Sequence, residues 1–331
     1  MKLCKNCVLP VGFPHITFDE EGVCSLCRAY KGRSAALGLR KEYTKRFERL
    51  LKESAGKSAY DVLMCYSGGK DSTYTLDILR KKYGLSVLAF TFDNGFIPER
   101  TYVNIRNVVE ALGVDHVFFK PDFNIVKRLF THTLRHCPYP AKTLERASAV
   151  CTTCMGLVKY TALKTAVEKE IPLIAFGWSP GQAPVTSSII RLGPEMVSAM
   201  ELAIKAPMKK IAGGPVDRFF LEKRHYAAAA TLPAFVHPLA FTEYDEKKIL
   251  ACIKRLGWKL PKDVEMNATN CLLNPLGDEE HIKRYGFHPY ALEIAAFVRE
   301  GCMTRPEGIR HLPFRKDRRL LASLRKRLGV S

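Results

Sequence analysis

Apolar positions along the chain fall into two kinds of pattern, short continuous runs and stripes with helical spacing. Val62, Leu63, Met64, Cys65 and Tyr66 form one run, and Thr75, Leu76, Ile78 and Leu79 then recur at helical intervals. A second run covers Ser86 to Phe92 and is followed by a helical stretch from about Glu99 to Leu112. His116 to Phe119 reads as a strand, Asn124 to Leu134 as a helix, Met155 to Lys169 as a helix, and Pro172 to Phe176 as a strand ending at Gly177. Short buried runs alternating with amphipathic helices predict an α/β fold, a parallel doubly wound sheet with helices on both faces. Upstream, Leu39, Tyr43, Phe47, Leu50 and Leu51 stripe one side of a charged helix over residues 38–54.

Ligands of such sheets lie at the carboxyl ends of the strands. That places Ser67 to Ser72, Asp93 and Gly177 around one pocket. The stretch Ser67-Gly68-Gly69-Lys70-Asp71-Ser72 joins a strand to a helix. Gly68 and Gly69 allow a sharp bend and close approach of backbone N–H groups to an anion, and the helix start adds its own. Ser67 and Ser72 add hydroxyl donors and Lys70 a cation. The spacing is not that of a Walker A loop. Asp71 is suited either to Mg²⁺ or orientation, or to capping the helix; Asp93 is a second candidate for Mg²⁺.

The 331 residues carry 52 Lys+Arg against 33 Asp+Glu, a formal charge of +19. Such a balance favours polyanions, whether nucleic acid, nucleotides or sugar phosphates, or else serves solubility. Part of it lies near the end of the chain, in Arg315, Lys316, Arg318, Arg319, Arg325, Lys326 and Arg327, on a helix that is either RNA-facing or simply solvated. No apolar run approaches the ~18 residues of a membrane span. The start MKLCKNC lacks the character of a signal peptide, so a cytoplasmic protein with no membrane partner is expected.

Six of the eleven cysteines stand in C-x-x-C pairs. Cys4 and Cys7 are separated by sixteen residues from Cys24 and Cys27, the spacing of a tetrahedral structural zinc site. A segment this short needs the metal to fold, and four protein ligands leave no open position for chemistry. Cys151 and Cys154 precede the Met155–Lys169 helix, whose dipole is expected to lower their pKa. With the later Cys271 they make three ligands, which suits a cluster with one open iron or a metal with an exchangeable fourth position. A redox dithiol, zinc held with a histidine, or a plain core thiol at Cys271 are the competing readings. Cys65 reads as core; Cys137, Cys252 and Cys302 carry no assigned role.

SGGKDS resembles the PP-loop of the ATP pyrophosphatase superfamily, whose adenine nucleotide alpha-hydrolase-like fold cleaves ATP to AMP and pyrophosphate. The resemblance implies that Ser67, Gly68, Gly69, Lys70, Asp71 and Ser72 grip pyrophosphate, that Phe92 and Asp93 help hold adenine and ribose, and that Gly177 lets the backbone approach AMP. The order C-x-x-C, Pro238-Leu239, Tyr244-Asp245-Glu246-Lys247-Lys248-Ile249, then Cys271 is similar to the tRNA-thiolation branch. There three cysteines hold a [4Fe-4S] cluster, which implies that role for Cys151, Cys154 and Cys271. CKNCVLP…ITFDEEGVCSLCRAY, Lys283 to Phe287 and Arg299 to Ile309 resemble instead N-acetyl sugar amidotransferases. Those enzymes lack the internal C-x-x-C, and this chain lacks the C-terminal zinc ribbon of the thiolation enzymes.

The expected organisation is a zinc ribbon over 1–34, a connecting helix over 35–58, a PP-loop domain over 59–275 and a helical basic region over 276–331. Within the third, 179–235 reads as a substrate-specific insertion lidding the pocket, with a helix from about Pro194 to Ala206 and with Gln182, Arg191 and Arg224 as candidate substrate contacts. The expected function is adenylation of a carbonyl or amide oxygen by ATP with Mg²⁺, followed by sulfur transfer through the three-cysteine centre to tRNA or a small anionic metabolite or sugar nucleotide. The alternatives are a sugar amidotransferase fed ammonia by a partner glutaminase, and a non-catalytic ATP- and iron–sulfur-dependent nucleic-acid-binding protein. The expected partner is a sulfur donor for the first reading or a glutaminase for the second, and a homodimer is compatible with either.

Overall fold

The computed structural model describes residues 2–228, 232–262, 264, 267–314 and 316–330; Arg315, one of the basic run, lies outside them. Six strands, β1 (Val62–Cys65), β2 (Val87–Phe92), β3 (Asp115–Phe119), β4 (Leu173–Phe176), β5 (Ile189–Ile190) and β6 (Ala234–Val236), form one sheet in the order β3-β2-β1-β4-β6-β5. All neighbours are parallel except β5, which runs antiparallel to β6 at the edge. The strand order reverses between β1 and β4, and a crevice opens at the carboxyl ends of strands at such a point.

Why β1 is a continuous apolar run follows from its two faces. Leu63 and Cys65 enter one core, with Leu157 and Leu163 of the Ala149–Glu168 helix. Val62, Met64 and Tyr66 enter the other, with Ile105 and Val108 of the Glu99–Leu112 helix. A strand covered by helices on both sides has no polar face to show. The amphipathic N-terminal helix runs Arg33–Ser54 and is more than a link: Tyr43, Phe47 and Leu50 pack into that second core.

Three expectations need correction. The Cys151-x-x-Cys154 pair does not precede its helix. Ser148 caps that helix, its hydroxyl accepting from the Cys151 N–H, so both cysteines sit in the first two turns. The stretch 179–235 is not purely a lid, because it supplies β5 and ends in β6, both hydrogen-bonded into the sheet. The helix expected to stop near Ala206 runs Pro194–Ala212 and carries Pro207 inside it.

The cysteine-rich start and the last quarter of the chain form a third core. Val8, Leu9 and Phe13 pack with Phe287, Leu292, Ile294 and Leu312. Phe13 and Phe287 have ring centroids 4.6 Å apart. Arg305 donates to the carbonyls of Cys4 at 3.0 Å and Cys7 at 2.9 Å. Among the described residues no helix is long and apolar enough to cross a membrane.

Candidate active site

β1 ends at Cys65 and the chain turns through Ser67, Gly68 and Gly69 into the helix Lys70–Asp77. Gly68 has φ +74°, and a Cβ there would stand 2.7 Å from Ile105 and Thr101, so the turn requires glycine. The Ser67 and Ser72 hydroxyls are 3.0 Å apart across the turn. The indole N–H of buried Trp258 donates to the Gly68 carbonyl at 2.9 Å. Gly69 is the N-cap, which leaves Asp71 in the first turn and not at the capping position. The Lys70 ammonium sits between Asp71 and Glu246, 3.2 Å from each, beside the Tyr244 hydroxyl. Burial alone would lower its pKa; the two carboxylates outweigh that and hold it above the usual lysine value.

Gly177 follows β4 by one residue. A Cβ on it would fall 2.4 Å from the Ser72 Cα and 2.7 Å from the Ser72 nitrogen. The glycine therefore lets two strand ends, β4 and the loop after β1, meet backbone to backbone. Phe92 and Asp93 close the other side of β1. The Phe92 ring packs into the core, stacked on Phe119 at 5.6 Å. Asp93 is 3% exposed; its carboxylate accepts the Gly95 N–H at 2.8 Å and lies 3.7 Å from the Lys120 ammonium.

Cys151, Cys154 and Cys271 meet beside this loop. The Asn94 side-chain amide donates to Cys154 Sγ at 3.4 Å and to Cys271 Sγ at 3.5 Å. Cys151 Sγ donates to the side-chain Oδ1 of Asn274 at 3.3 Å, and the Tyr290 hydroxyl donates to that same oxygen at 3.2 Å. The expected helix-dipole lowering of the thiols is overturned: burial pushes Cys154 up to about 12 and raises Cys151 and Cys271 as well. One stretch of residues ties this centre to the Ser67–Ser72 turn. The Lys70 N–H donates to Thr269 Oγ1 at 3.2 Å, Asn270 packs on Gly69, and Cys271 follows. The Leu272 N–H then bonds the Phe96 carbonyl at 2.8 Å.

The two cysteine sets differ in spacing. Cys4, Cys7, Cys24 and Cys27 have all four sulfurs within 4.8 Å of one another, with Cys4–Cys27 at 3.9 Å and Cys7–Cys24 at 3.7 Å. Metal–sulfur bonds of ~2.3 Å in a tetrahedron place sulfurs ~3.8 Å apart, so these residues fit one metal ion. Among the described residues no other set of three or more cysteine, histidine or carboxylate ligand atoms is that tight. Cys151, Cys154 and Cys271 do not form such a set among the described residues. Three thiols with the Asn94 amide facing two of them are a donor set that suits iron–sulfur ligation.

The sequence did not single out Glu293. It stands on the Ala291–Arg299 helix, accepts the Ser179 hydroxyl at 2.7 Å and is pushed up to about 7, chiefly by burial and then by Asp71. Gln182 does reach this corner, its side chain accepting the Ser179 N–H at 3.1 Å. Arg191 and Arg224 do not: each is exposed and paired locally, with Glu53 and Glu222. The basic terminal helix, Arg318–Leu328, is partly docked: Arg325 bonds Glu279 and Glu280, and Arg327 lies 4.8 Å over the Phe96 ring.

No family model matches the chain. It is 24% identical over 262 residues to an uncharacterized protein of Methanocaldococcus jannaschii, across 79% of this chain and 75% of that one. Among solved structures it is similar to the U34-tRNA thiolase NcsA from Methanococcus maripaludis with its [4Fe-4S] cluster, at 16% identity and TM-score 0.37, over 99% of this chain and 98% of that one. It is also similar to NMN synthetase from Francisella tularensis, at 14% identity and TM-score 0.38, over 84% and 98%. At such TM-scores the fold description rests on the sheet order and the loop geometry above.

Proposed function

We propose that the protein is a PP-loop ATP pyrophosphatase that adenylates an oxygen of its substrate and replaces it with sulfur. The observation that carries this reading is the Thr269–Cys271 segment, which touches the phosphate loop through Thr269 and Asn270 and supplies a thiol to the cysteine centre with its next residue. A carbonyl or amide oxygen attacks the α-phosphorus of ATP; the new O–P bond forms as the α–β bridge breaks and pyrophosphate departs with the electron pair. The N–H groups of the Ser67–Ser72 turn and the Lys70 ammonium face that leaving charge, with Mg²⁺ as the expected counter-ion. In the second step sulfide attacks the activated carbon and AMP leaves. Cys151, Cys154 and Cys271 would hold a [4Fe-4S] cluster, which supplies an iron without a protein ligand to carry sulfide. The Asn94 amide would donate to two of the thiolates, Cys154 and Cys271. Cys4, Cys7, Cys24 and Cys27 would hold zinc in a structural role.

Ammonia as the nucleophile, from a glutaminase partner, is the second reading. It is favoured by the packing of the ribbon on Phe287, Leu292 and Arg305, since these two ends carry the amidotransferase resemblance. The deciding experiment is purification without air, followed by metal and sulfide analysis and an assay of AMP release. About four iron, four sulfide and one zinc per chain support sulfur transfer. Zinc without iron removes the cluster and leaves ammonia ligation. Pyrophosphate release that survives Lys70→Ala sinks the loop assignment in both readings.

A further inference from the structure

Three oxygens surround the Lys70 ammonium: the Tyr244 hydroxyl at 2.5 Å, Asp71 Oδ1 at 3.2 Å and Glu246 Oε1 at 3.2 Å. An ammonium has three N–H donors, so these partners can engage all of them. The Lys70 side chain is 14% exposed, which leaves little room for a fourth partner. A phosphate oxygen that binds this nitrogen has to take a place in that shell.

The three partners are not held alike. Tyr244 is 8% exposed and packs in a buried cluster with Ile78 and Ile249, its ring stacked on Phe297 at 4.9 Å. Its hydroxyl proton goes to Asp71 Oδ1 at 2.9 Å, so a lone pair of the same oxygen faces Lys70. Lys70, Asp71 and Tyr244 thus close a triangle in which each touches the other two. Glu246 stands outside it. Its side chain is 45% exposed and it opens the helix Glu246–Lys254. That helix is capped by Asp245, whose carboxylate accepts the Lys247 and Lys248 N–H groups, so the helix start does not depend on Glu246. Breaking the triangle would strand buried polar groups. Releasing Glu246 returns a half-exposed carboxylate to water, which costs little. Arriving phosphates also repel that carboxylate.

We propose that Glu246 is a displaceable counter-ion of Lys70: nucleotide phosphate takes its place on the ammonium, while Tyr244 is the positioning residue that, with Asp71, keeps Lys70 on the turn. This deepens the adenylation reading and rests on its assignment of Lys70 to the leaving pyrophosphate. Glu246 therefore weakens ATP binding and Tyr244 strengthens it, although both touch the same nitrogen.

The test is calorimetric binding of α,β-methylene-ATP, which cannot be cleaved at the α–β bridge, to the full chain with Mg²⁺ present. Glu246→Gln should bind it about threefold to fivefold more tightly than wild type, the scale of a half-exposed ion pair, and the gain should shrink as salt is raised. Tyr244→Phe keeps the ring on Phe297 and should bind about tenfold more weakly. AMP, which lacks the β- and γ-phosphates, should bind both variants as it binds wild type. Glu243→Gln removes a neighbouring charge that pairs with Lys248 and should change nothing. Analogue binding that is unchanged in either Glu246→Gln or Tyr244→Phe overturns the inference. So does a Glu246→Gln gain that persists in a Lys70→Met background, or an equal gain for AMP or in Glu243→Gln, each of which would make it a general effect of charge. The reading beneath it fails separately: wild-type protein that does not bind the analogue, or Lys70→Met that binds it as tightly as wild type, removes Lys70 from the phosphates whatever Glu246 does.

Discussion

Replacing Gly177 by alanine probes the contact on which the pocket depends. The added Cβ would stand 2.4 Å from the Ser72 Cα, and both partners are backbone, so no rotamer change relieves the overlap. Ordinary contact begins near ~3.4 Å, so the Ser67–Ser72 turn and the end of β4 must part by ~1 Å. Overpacking on this scale costs about 1–3 kcal/mol of stability. A displacement of ~1 Å at a phosphate-gripping loop costs on the order of 10²-fold in rate. The expected result for Gly177→Ala is therefore a folded protein with a lowered melting temperature and AMP formation down about 10²-fold in kcat/KM. Gly38→Ala is the control, since Gly38 is helical with nothing within 4 Å of its added Cβ and should be neutral or slightly stabilising. Wild-type melting and turnover in Gly177→Ala would refute the claim that the two strand ends are locked together.

Glu293→Gln tests the buried carboxyl. The native group is pushed up to about 7 by burial, so its protonated form is favoured in the fold; its stabilising contribution is present at pH below its ordinary value near 4.5 and fades as pH rises through 7. The variant should gain stability relative to wild type across that interval, by up to about 3 kcal/mol, and parallel melting curves from pH 4.5 to 8 would exclude it. Cys7→Ser should release the ribbon metal and lower the melting temperature with the sheet intact; retention of one zinc by mass spectrometry of the native protein would contradict the four-sulfur assignment. Asn94→Ala removes the amide shared by Cys154 and Cys271 and should broaden or bleach the iron–sulfur absorption while leaving zinc in place; an unchanged spectrum separates Asn94 from the centre.

What could be read without coordinates depended on how local its physics was. β1 was legible because burial on both faces makes an unbroken apolar run, and the turn after it because two glycines and a lysine at a strand–helix junction have few other uses. The four ribbon cysteines were legible by spacing alone. β5 and β6 were not, because strands of two and three residues are shorter than any period that would reveal them. Glu293 was invisible for another reason: a single charged residue in a helix reads as a solvated face, and only the packing around it and the Ser179 hydroxyl beside it show otherwise. The failed expectation of acidic thiols came from weighing the helix end without knowing how deeply Cys151 and Cys154 are buried.

The docking of the ribbon on Phe287, Leu292 and Arg305 sets a timetable for synthesis. Cys4 to Cys27 leave the ribosome before any of the sheet, yet the apolar surface that covers Val8, Leu9 and Phe13 is made some 260 residues later, read from Cys27 to Phe287. At ~5–20 residues per second that interval is on the order of 10–50 s. During it the nascent knuckles have only their own short bridges and whatever ion their four sulfurs take up to order them, until the two ends of the chain can join.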